Sequence, residues 1–573
     1  MENLNIKQVI SEVIKKELEN NYQIKLGDLS QLFELPKNSE FGDIALPCFT
    51  FAKLLKKSPM LLASELEKIE YPEFVNKAQA MGGYLNFFLQ RKEYYKSIIC
   101  SAINDKSYGS SKEGEGKKCL IEHTSINPNA SPHIGRSRNA IVGDFYANLM
   151  KFVGYDVDVH YFVNDIGKQI SMLVYGALDK DEVKFEDLLS LYVETNKLVK
   201  ENPEIEKEIF DLLYKLENND KEVREKFFKI VDTCIKGQVR ILNTLGIEYN
   251  SFDYESDFIF NKTVDKILKE LLALNDKEEA GIHLEEDEDG RMVVMFDKYK
   301  KLTPLVVTRG DKTSLYPLRD ICYTIWKGQQ GCDKNILVLG EDQKLYFEQI
   351  KTVVAELGYQ TPEVIHYSFV MLQEGSMSTR NGTVVLLEDF MKIATDKVLE
   401  NLKANNRKED LSIAKSIAYG AVKYSIQKTS NDKNVIFDWD TALTFEGNSG
   451  PYVQYSYARI SSIMRKLDSE YLDLDYLSLN YDVMDLQIEN ELVNSLYSFP
   501  SIINHAIREK SPHIIANYAF ALAKSFSSLY HDASILYEED DMKKKCRVAL
   551  VLAIKNVLET SMKLLGINPL EEM

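Results

Sequence analysis

EHTSINPNASPHIGRSRNAIVGD, residues 122–144, joins an apolar strand to a helix through a loop too rich in Ser, Asn and Pro to be either. Cys119, Leu120 and Ile121 supply the strand. Ile141, Phe145 and Leu149 recur every four residues and so mark one buried helix face. Asn127, Pro128, Asn129, Ser131 and Pro132 break regular structure between the two. A polar loop that feeds a helix N-terminus aims free backbone N–H groups and the positive end of the helix dipole at one point, which suits an anion. His133 can donate to a phosphate there, and the missing Cβ of Gly135 would let a nucleotide lie against the backbone. Taken alone, the stretch also reads as an ordinary turn, so the rest of the chain has to decide.

Moving outward, short Val- and Ile-rich runs alternate with helical stretches: CLIEHT, VDVHYFV (157–163), PLVVT (304–308), NILVLG (335–340) and VIHYSFV (364–370). This alternation predicts an α/β unit, a doubly wound, Rossmann-like parallel sheet, over residues 111–405. Ligands of such sheets bind beyond the carboxyl ends of the strands. Asn164 and Asp165 stand at one of these ends, and Glu341, Asp342 and Gln343 at another. A charged insertion, about 180–300, reads as two or three amphipathic helices followed by a strand at GRMVVMFD (290–297). Before the sheet, residues 1–110 read as a small α+β domain, ending in a Gly-rich linker at 107–117. After it, residues 406–573 are helical throughout and predict an all-α helix bundle. Within that bundle Tyr452, Gln454, Tyr455, Tyr457 and Arg459 lie close together. Aromatics interleaved with cations can stack on unpaired RNA bases; the plain alternative is a bundle helix with half-buried tyrosines.

Composition excludes more than it selects. No apolar run reaches the roughly 18 residues of a membrane span. The N-terminal helix carries Glu2, Glu12 and Glu17 and lacks a signal peptide's apolar core. Seven scattered cysteines without a CxxC pairing argue for a reducing, cytoplasmic setting without a disulfide framework or zinc site. The net charge of −18, from 70 basic and 88 acidic residues, leaves an RNA partner open, because binding follows the local field of one face.

Taken together, the blocks resemble class I arginyl-tRNA synthetases nearly from end to end. FGDIALPCFTFAKLLKKSP with GYLNFFL is similar to the family's N-terminal domain, which contacts the tRNA elbow. EHTSINPNASPHIGRSRNA resembles its HIGH motif, and YFVNDIGKQ, YPLRDICY and GEDQKLYFEQ its catalytic blocks. GSMSTRNG stands where the KMSKS loop belongs, and GNSGPYVQYSYARISSIMRK with LLGINPLEEM resembles the anticodon-binding domain. Several blocks in one order are far more specific than any single motif. The resemblance implies that L-arginine and ATP, with magnesium, give arginyl-adenylate and pyrophosphate. The arginyl group then passes to the 3'-terminal adenosine of arginine tRNA.

By the same resemblance, Glu122 and Asp320 face the substrate guanidinium, Asn127 and Gln343 surround the amino acid, and Tyr316 lines the side-chain slot. A planar cation with five donors calls for carboxylates in a forked geometry. On the ATP side stand His133, Gly135 and Arg136, the last replacing the motif's second histidine, with Met377, Ser378 and Arg380 of the distant loop. His133, Arg136, Ser378 and Arg380 are the expected catalytic residues, and Tyr452, Gln454, Tyr457 and Arg459 the expected tRNA contacts.

The chain departs from the family where positive charge is needed. Lys-Met-Ser-x-Arg is here Ser376-Met377-Ser378-Thr379-Arg380, followed by Asn381, and the lysine that some relatives carry before HIGH is Ala130. Arg136, Arg380 and magnesium remain to meet the pyrophosphate, while Arg136 and Arg138 could equally be ordinary helix charges turned to solvent. Two other functions fit the missing lysines: a paralogue that activates arginine for an acceptor other than tRNA, and a non-catalytic tRNA-binding regulator. The expected molecule is a cytoplasmic monomer with no tightly bound cofactor, no dedicated metal site, and neither DNA nor membrane as partner.

Overall fold

The computed structural model describes residues 6–34, 36, 39–124, 126–129, 131–180, 182–372, 385–404 and 409–573. At its centre lies a five-stranded, all-parallel sheet. Its strands in spatial order are Glu363–Tyr367, Lys334–Gly340, Lys118–Glu122, Asp156–Val163 and Ser251–Tyr254. Numbered along the chain this is the order 5-4-1-2-3, so the direction of winding reverses between Lys118–Glu122 and Lys334–Gly340. Strands buried on both faces need apolar residues in both registers. Ile121, Val159 and Val338 accordingly enter one core, while Phe162 and Leu337 enter another.

Two strand expectations are corrected. PLVVT is not in the parallel sheet: Leu305–Val306 pairs antiparallel with Met292–Met295, which also pairs with His283–Glu286. A five-residue apolar run carries no information about strand direction. The fifth parallel strand is instead Ser251–Tyr254, inside the stretch assigned to the insertion. It is an edge strand with polar residues, so it lacks the apolar signature. The insertion therefore falls into two pieces. Three amphipathic helices, Leu188–Glu201, Pro203–Glu217 and Lys221–Thr244, precede that strand, and the small antiparallel sheet follows it. VIHYSFV likewise divides at Ser368: its end, Val370–Leu372, pairs with Val435–Phe437, which comes from beyond residue 406.

The N-terminal residues form a three-stranded antiparallel sheet with helices. The helix Arg91–Asn104 leaves that sheet and packs into the C-terminal bundle. There Tyr94 donates to Asn494 (2.8 Å), Tyr95 to Asn490 (3.0 Å) and Tyr108, just beyond the helix, to the Leu496 carbonyl (2.9 Å). One apolar core consequently contains Ile10, Leu46, Tyr94, Phe499 and Leu550 from both ends of the chain. The final residues are held in the same way. Gln427, Lys423 and Gln454 donate to the carbonyls of Leu565, Gly566 and Asn568. Among the described residues no helix is long and apolar enough to cross a membrane.

Candidate active site

Glu122 is the last residue of the first parallel strand, and Gly340 the last of its neighbour across the winding reversal. Chains diverge there and leave a crevice. The cavity that opens at this point measures about 1060 Å³ and is lined by Glu122, Asn127, His133, Arg136, Tyr316, Asp320 and Gln343. Seven of the residues singled out from the sequence thus share one cleft, although Glu122 and Gln343 are more than 200 positions apart.

One helix, Tyr316–Gly328, builds the wall. Tyr316, Asp320, Tyr323, Thr324 and Lys327 fall at helical spacing on a single face, and all five line the cavity. Tyr316 begins the helix and is 56% exposed, its ring 5.5 Å from that of Tyr346. Asp320 lies within the helix and accepts a 2.5 Å hydrogen bond from the Tyr346 hydroxyl. Burial, and then the charge of Glu255, push its carboxyl up to about 7. The residue is half-buried as a whole, and its carboxyl lies deep. Glu255 is itself compensated: Arg319 Nε donates to it at 2.6 Å and Asn164 at 3.1 Å.

The position of Glu122 was legible and its environment was not. Its carboxylate is buried and forms an ion pair with the equally buried Lys327, whose ammonium also lies 4.4 Å from the centre of the Tyr323 ring. Asn127 is exposed at the mouth and donates to Gln169 Oε1 (3.1 Å); its carbonyl accepts from Gln238 (3.0 Å), which fixes the loop. Gln343 closes a short 3-10 turn, Glu341–Gln343, directly after the strand, and is half-buried. Lys327, Glu255, Arg319 and Tyr346 were missed. For Lys327 a signal existed, since it stands seven residues after Asp320 and so on the same helix face.

On the opposite wall, His133 precedes the helix Ile134–Phe152 and bridges to Leu386. Burial, and then the Arg136 charge, hold its imidazole below the usual range, so at neutral pH it is an uncharged N–H donor. Gly135 does not line the cavity. A Cβ there would lie 3.1 Å from His133 Nδ1, so its small size makes room for the imidazole. Arg136 is exposed and faces the cleft. Arg138 is not a solvent charge: fully buried, it donates to the carbonyls of Ser368 (2.6 Å), Lys433 (2.7 Å) and Ser430 (2.9 Å). Ala130, Ser376, Met377, Ser378, Arg380 and Asn381 lie outside the described residues.

The expected RNA contacts divide. Gln454 is buried, donating to Asn568 O (2.9 Å) and Ser416 O (3.4 Å), and Tyr457 is 3% exposed, its hydroxyl tied to Glu571 (2.9 Å). Both side chains fill the bundle, which corrects their reading as surface contacts. Tyr452 is half-buried against Phe520, with its hydroxyl on Ser527 (3.1 Å). Arg459 lies between the rings of Tyr455 (4.7 Å) and Tyr530 (4.9 Å), and this sandwich does reach the surface. Replacing Gln454 with Leu is expected to destabilise the bundle by about 1–3 kcal/mol, because two carbonyls lose their donor. RNA affinity of the folded protein should change less than about threefold, well under 1 kcal/mol. Unaltered melting with weakened RNA binding would reverse this assignment.

Three family models match in succession. They are the N-terminal domain of arginyl tRNA synthetase (residues 5–89), the catalytic domain of class I (R) tRNA synthetases (98–439) and the DALR anticodon binding domain (453–573). An arginine–tRNA ligase of Methanocaldococcus jannaschii is 37% identical, with 98% of each chain covered. That of Methanopyrus kandleri is also 37% identical, with 95% of each covered. Among solved structures, the Thermus thermophilus arginyl-tRNA synthetase superposes with a TM-score of 0.79 at 24% identity, covering 99% of this chain and 100% of that one. The Plasmodium falciparum enzyme gives a TM-score of 0.78 at 20% identity, covering 99% of each, and these two likenesses speak for the fold.

Proposed function

This chain belongs to the class I arginyl-tRNA synthetases and is an arginine–tRNA ligase, and from that premise we propose how its own residues share the reaction. Arginine, ATP and tRNA are its partners; the cytoplasm is its place of work and a single chain its working unit. The reading rests on one observation above the others: Asp320, deep in the cleft, has a neutral hydroxyl as its nearest hydrogen-bond partner, whereas Glu122 and Glu255 are already paired with cations. A carboxylate without a resident cation is the natural partner for a substrate guanidinium.

In this arrangement the arginine side chain passes the Tyr316 ring to reach Asp320, while Asn127 and Gln343 at the mouth hold its amino and carboxylate groups. The substrate carboxylate oxygen attacks the α-phosphorus of ATP, the bond to the β-phosphate oxygen breaks, and pyrophosphate leaves. A ribose hydroxyl of the terminal adenosine then attacks the carbonyl carbon and AMP departs. His133 contributes an uncharged N–H to a phosphate oxygen. Arg136 contributes fixed positive charge from its place on the cleft wall, with Arg380 as its partner from the second loop. Catalysis of this kind is positioning and electrostatics, without a covalent enzyme intermediate. Magnesium would enter on the phosphates of ATP, where it would neutralise charge on the departing pyrophosphate. At the far end, the Tyr455–Arg459–Tyr530 sandwich offers a stacking surface to unpaired bases. We assign the elbow contact to residues 1–110, catalysis to 111–405 and anticodon contact to 406–573.

Arginine-dependent ATP–pyrophosphate exchange, run with and without arginine tRNA, tests this reading. Arg136→Ala and Arg380→Ala are each expected to slow exchange on the order of 100-fold, as for loss of one transition-state donor. The KM for arginine should move little. Unchanged exchange in both variants would remove the arginines from phosphate chemistry. Exchange without any charging of tRNA would instead point to a different acceptor, and tRNA binding without exchange to a regulator.

A further inference from the structure

We propose that Lys327 is a positioning residue that sets the depth of the arginine slot, and with it the preference for arginine over a cationic side chain one methylene longer. The inference rests on the reading of the cleft as an arginine slot. Its basis is the gradient of burial along one helix face. Tyr316, at the mouth, is 56% exposed; Asp320 is half-buried; the side chain of Lys327 is 1% exposed and that of its partner Glu122 5%. Asp320 and Lys327 are seven residues apart, about 10 Å along the helix axis. Helical side chains lean toward the N-terminus of the helix, so the lysine stem climbs back toward Asp320. The ammonium and the Tyr323 ring beneath it then form the floor of the slot.

A resident cation at that depth has two consequences. It occupies one oxygen of Glu122, while the other takes no hydrogen bond from any described residue and remains available to a guanidinium N–H. It also repels any second cation pushed deeper than Asp320. A guanidinium that stops at Asp320 keeps its distance from the ammonium, whereas one carried a methylene further is driven toward a like charge in a poorly solvated pocket. Without Lys327 the floor would be a lone buried carboxylate, and a longer cation would find a partner there.

The test compares kcat/KM for L-arginine and L-homoarginine in the full-length enzyme with arginine tRNA. Lys327→Met keeps an unbranched stem and removes the charge. It is expected to lower the arginine-to-homoarginine ratio at least about tenfold, the scale on which one methylene is discriminated, mainly through KM. A lone buried Glu122 could unfold this variant, so Glu122→Gln/Lys327→Met, which buries no charge, is measured beside it together with its melting curve. The double variant should melt as the parent does and show a ratio lowered less than in the single variant, because the repelling ammonium is gone but no carboxylate is left to pair with the longer cation; a ratio equal to the parent's in the folded variants overturns the proposal. Asp320→Asn separates the two levels of inference. If it leaves the KM for arginine unchanged, the slot itself is misplaced. If it raises KM while the ratio in the Lys327 variants stays at the parent's value, the role of Lys327 alone is rejected.

Discussion

Asp320→Asn is expected to lower kcat/KM for arginine on the order of 10³-fold, since truncating one partner of a desolvated charge pair commonly costs 2–5 kcal/mol. The loss should fall mainly on KM, because the contact exists in the ground state as well as in the transition state. A second signature follows from the carboxyl's environment. Burial and Glu255 raise it to about 7, with Glu122 acting in the same direction, while Tyr346 and Arg319 oppose them. The free enzyme therefore holds a proton there below about pH 7, and a bound guanidinium requires the anion. Affinity for arginine is full above that pH and declines below it, with KM rising roughly tenfold per unit once the group is protonated. The Asn variant has no such proton, so its KM should be flat over the same range. Burial and the Arg136 charge lower the His133 imidazole, and His133 is common to both proteins, so its titration cancels in the comparison. A parent enzyme whose KM ignores pH between about 8 and 6 would show that Asp320 is already ionised without substrate.

The second large effect is expected at Arg138, two residues beyond Arg136 and opposite to it in character. Arg138→Leu strips a fully buried charged donor from three carbonyls, those of Ser368, Lys433 and Ser430, and should cost on the order of 3–5 kcal/mol. Those carbonyls belong to the segments that bring Val370–Leu372 and Val435–Phe437 side by side, so the damage should centre on that junction. Thermal melting and hydrogen exchange at 430–437 would register it. Arg136→Ala, by contrast, changes an exposed side chain and should melt like the parent while losing exchange activity. If Arg138→Leu kept the parent's melting temperature and lost only pyrophosphate exchange, the phosphate role would pass from Arg136 to Arg138.

Much of the architecture could be read from pattern, and the failures share a cause. Apolar runs announced the strands that form the middle of the sheet, because a strand covered on both faces has no freedom in composition. Ser251–Tyr254 escaped because an edge strand is free to be polar, and Leu305–Val306 was misplaced because a short run does not encode direction. In the cleft, residue identities were legible and partnerships were not. Glu122, Asp320 and Lys327 are all plain in the sequence, yet which carboxylate has a resident cation depends on a fold that joins positions 205 residues apart. The same applies to 452–459: aromatic spacing could not say that Tyr457 turns inward to Glu571 while Arg459 turns outward between two rings.

The shared core of the two chain ends bears on how the molecule is made. Tyr94 and Tyr95 wait for Asn494 and Asn490, some 400 residues downstream. At translation rates of 5–20 residues per second, that interval is roughly 20–80 s. Throughout it, the helix Arg91–Asn104 has been synthesised but lacks the bundle that buries Ile98, Ile99 and both tyrosines. The sheet and its cleft can close during elongation, but the surface that joins them to the bundle is completed only once the helix carrying Asn490 and Asn494 has been made. A nascent chain stalled before residue 490 would therefore carry a formed cleft and a sticky flank, a natural substrate for chaperones.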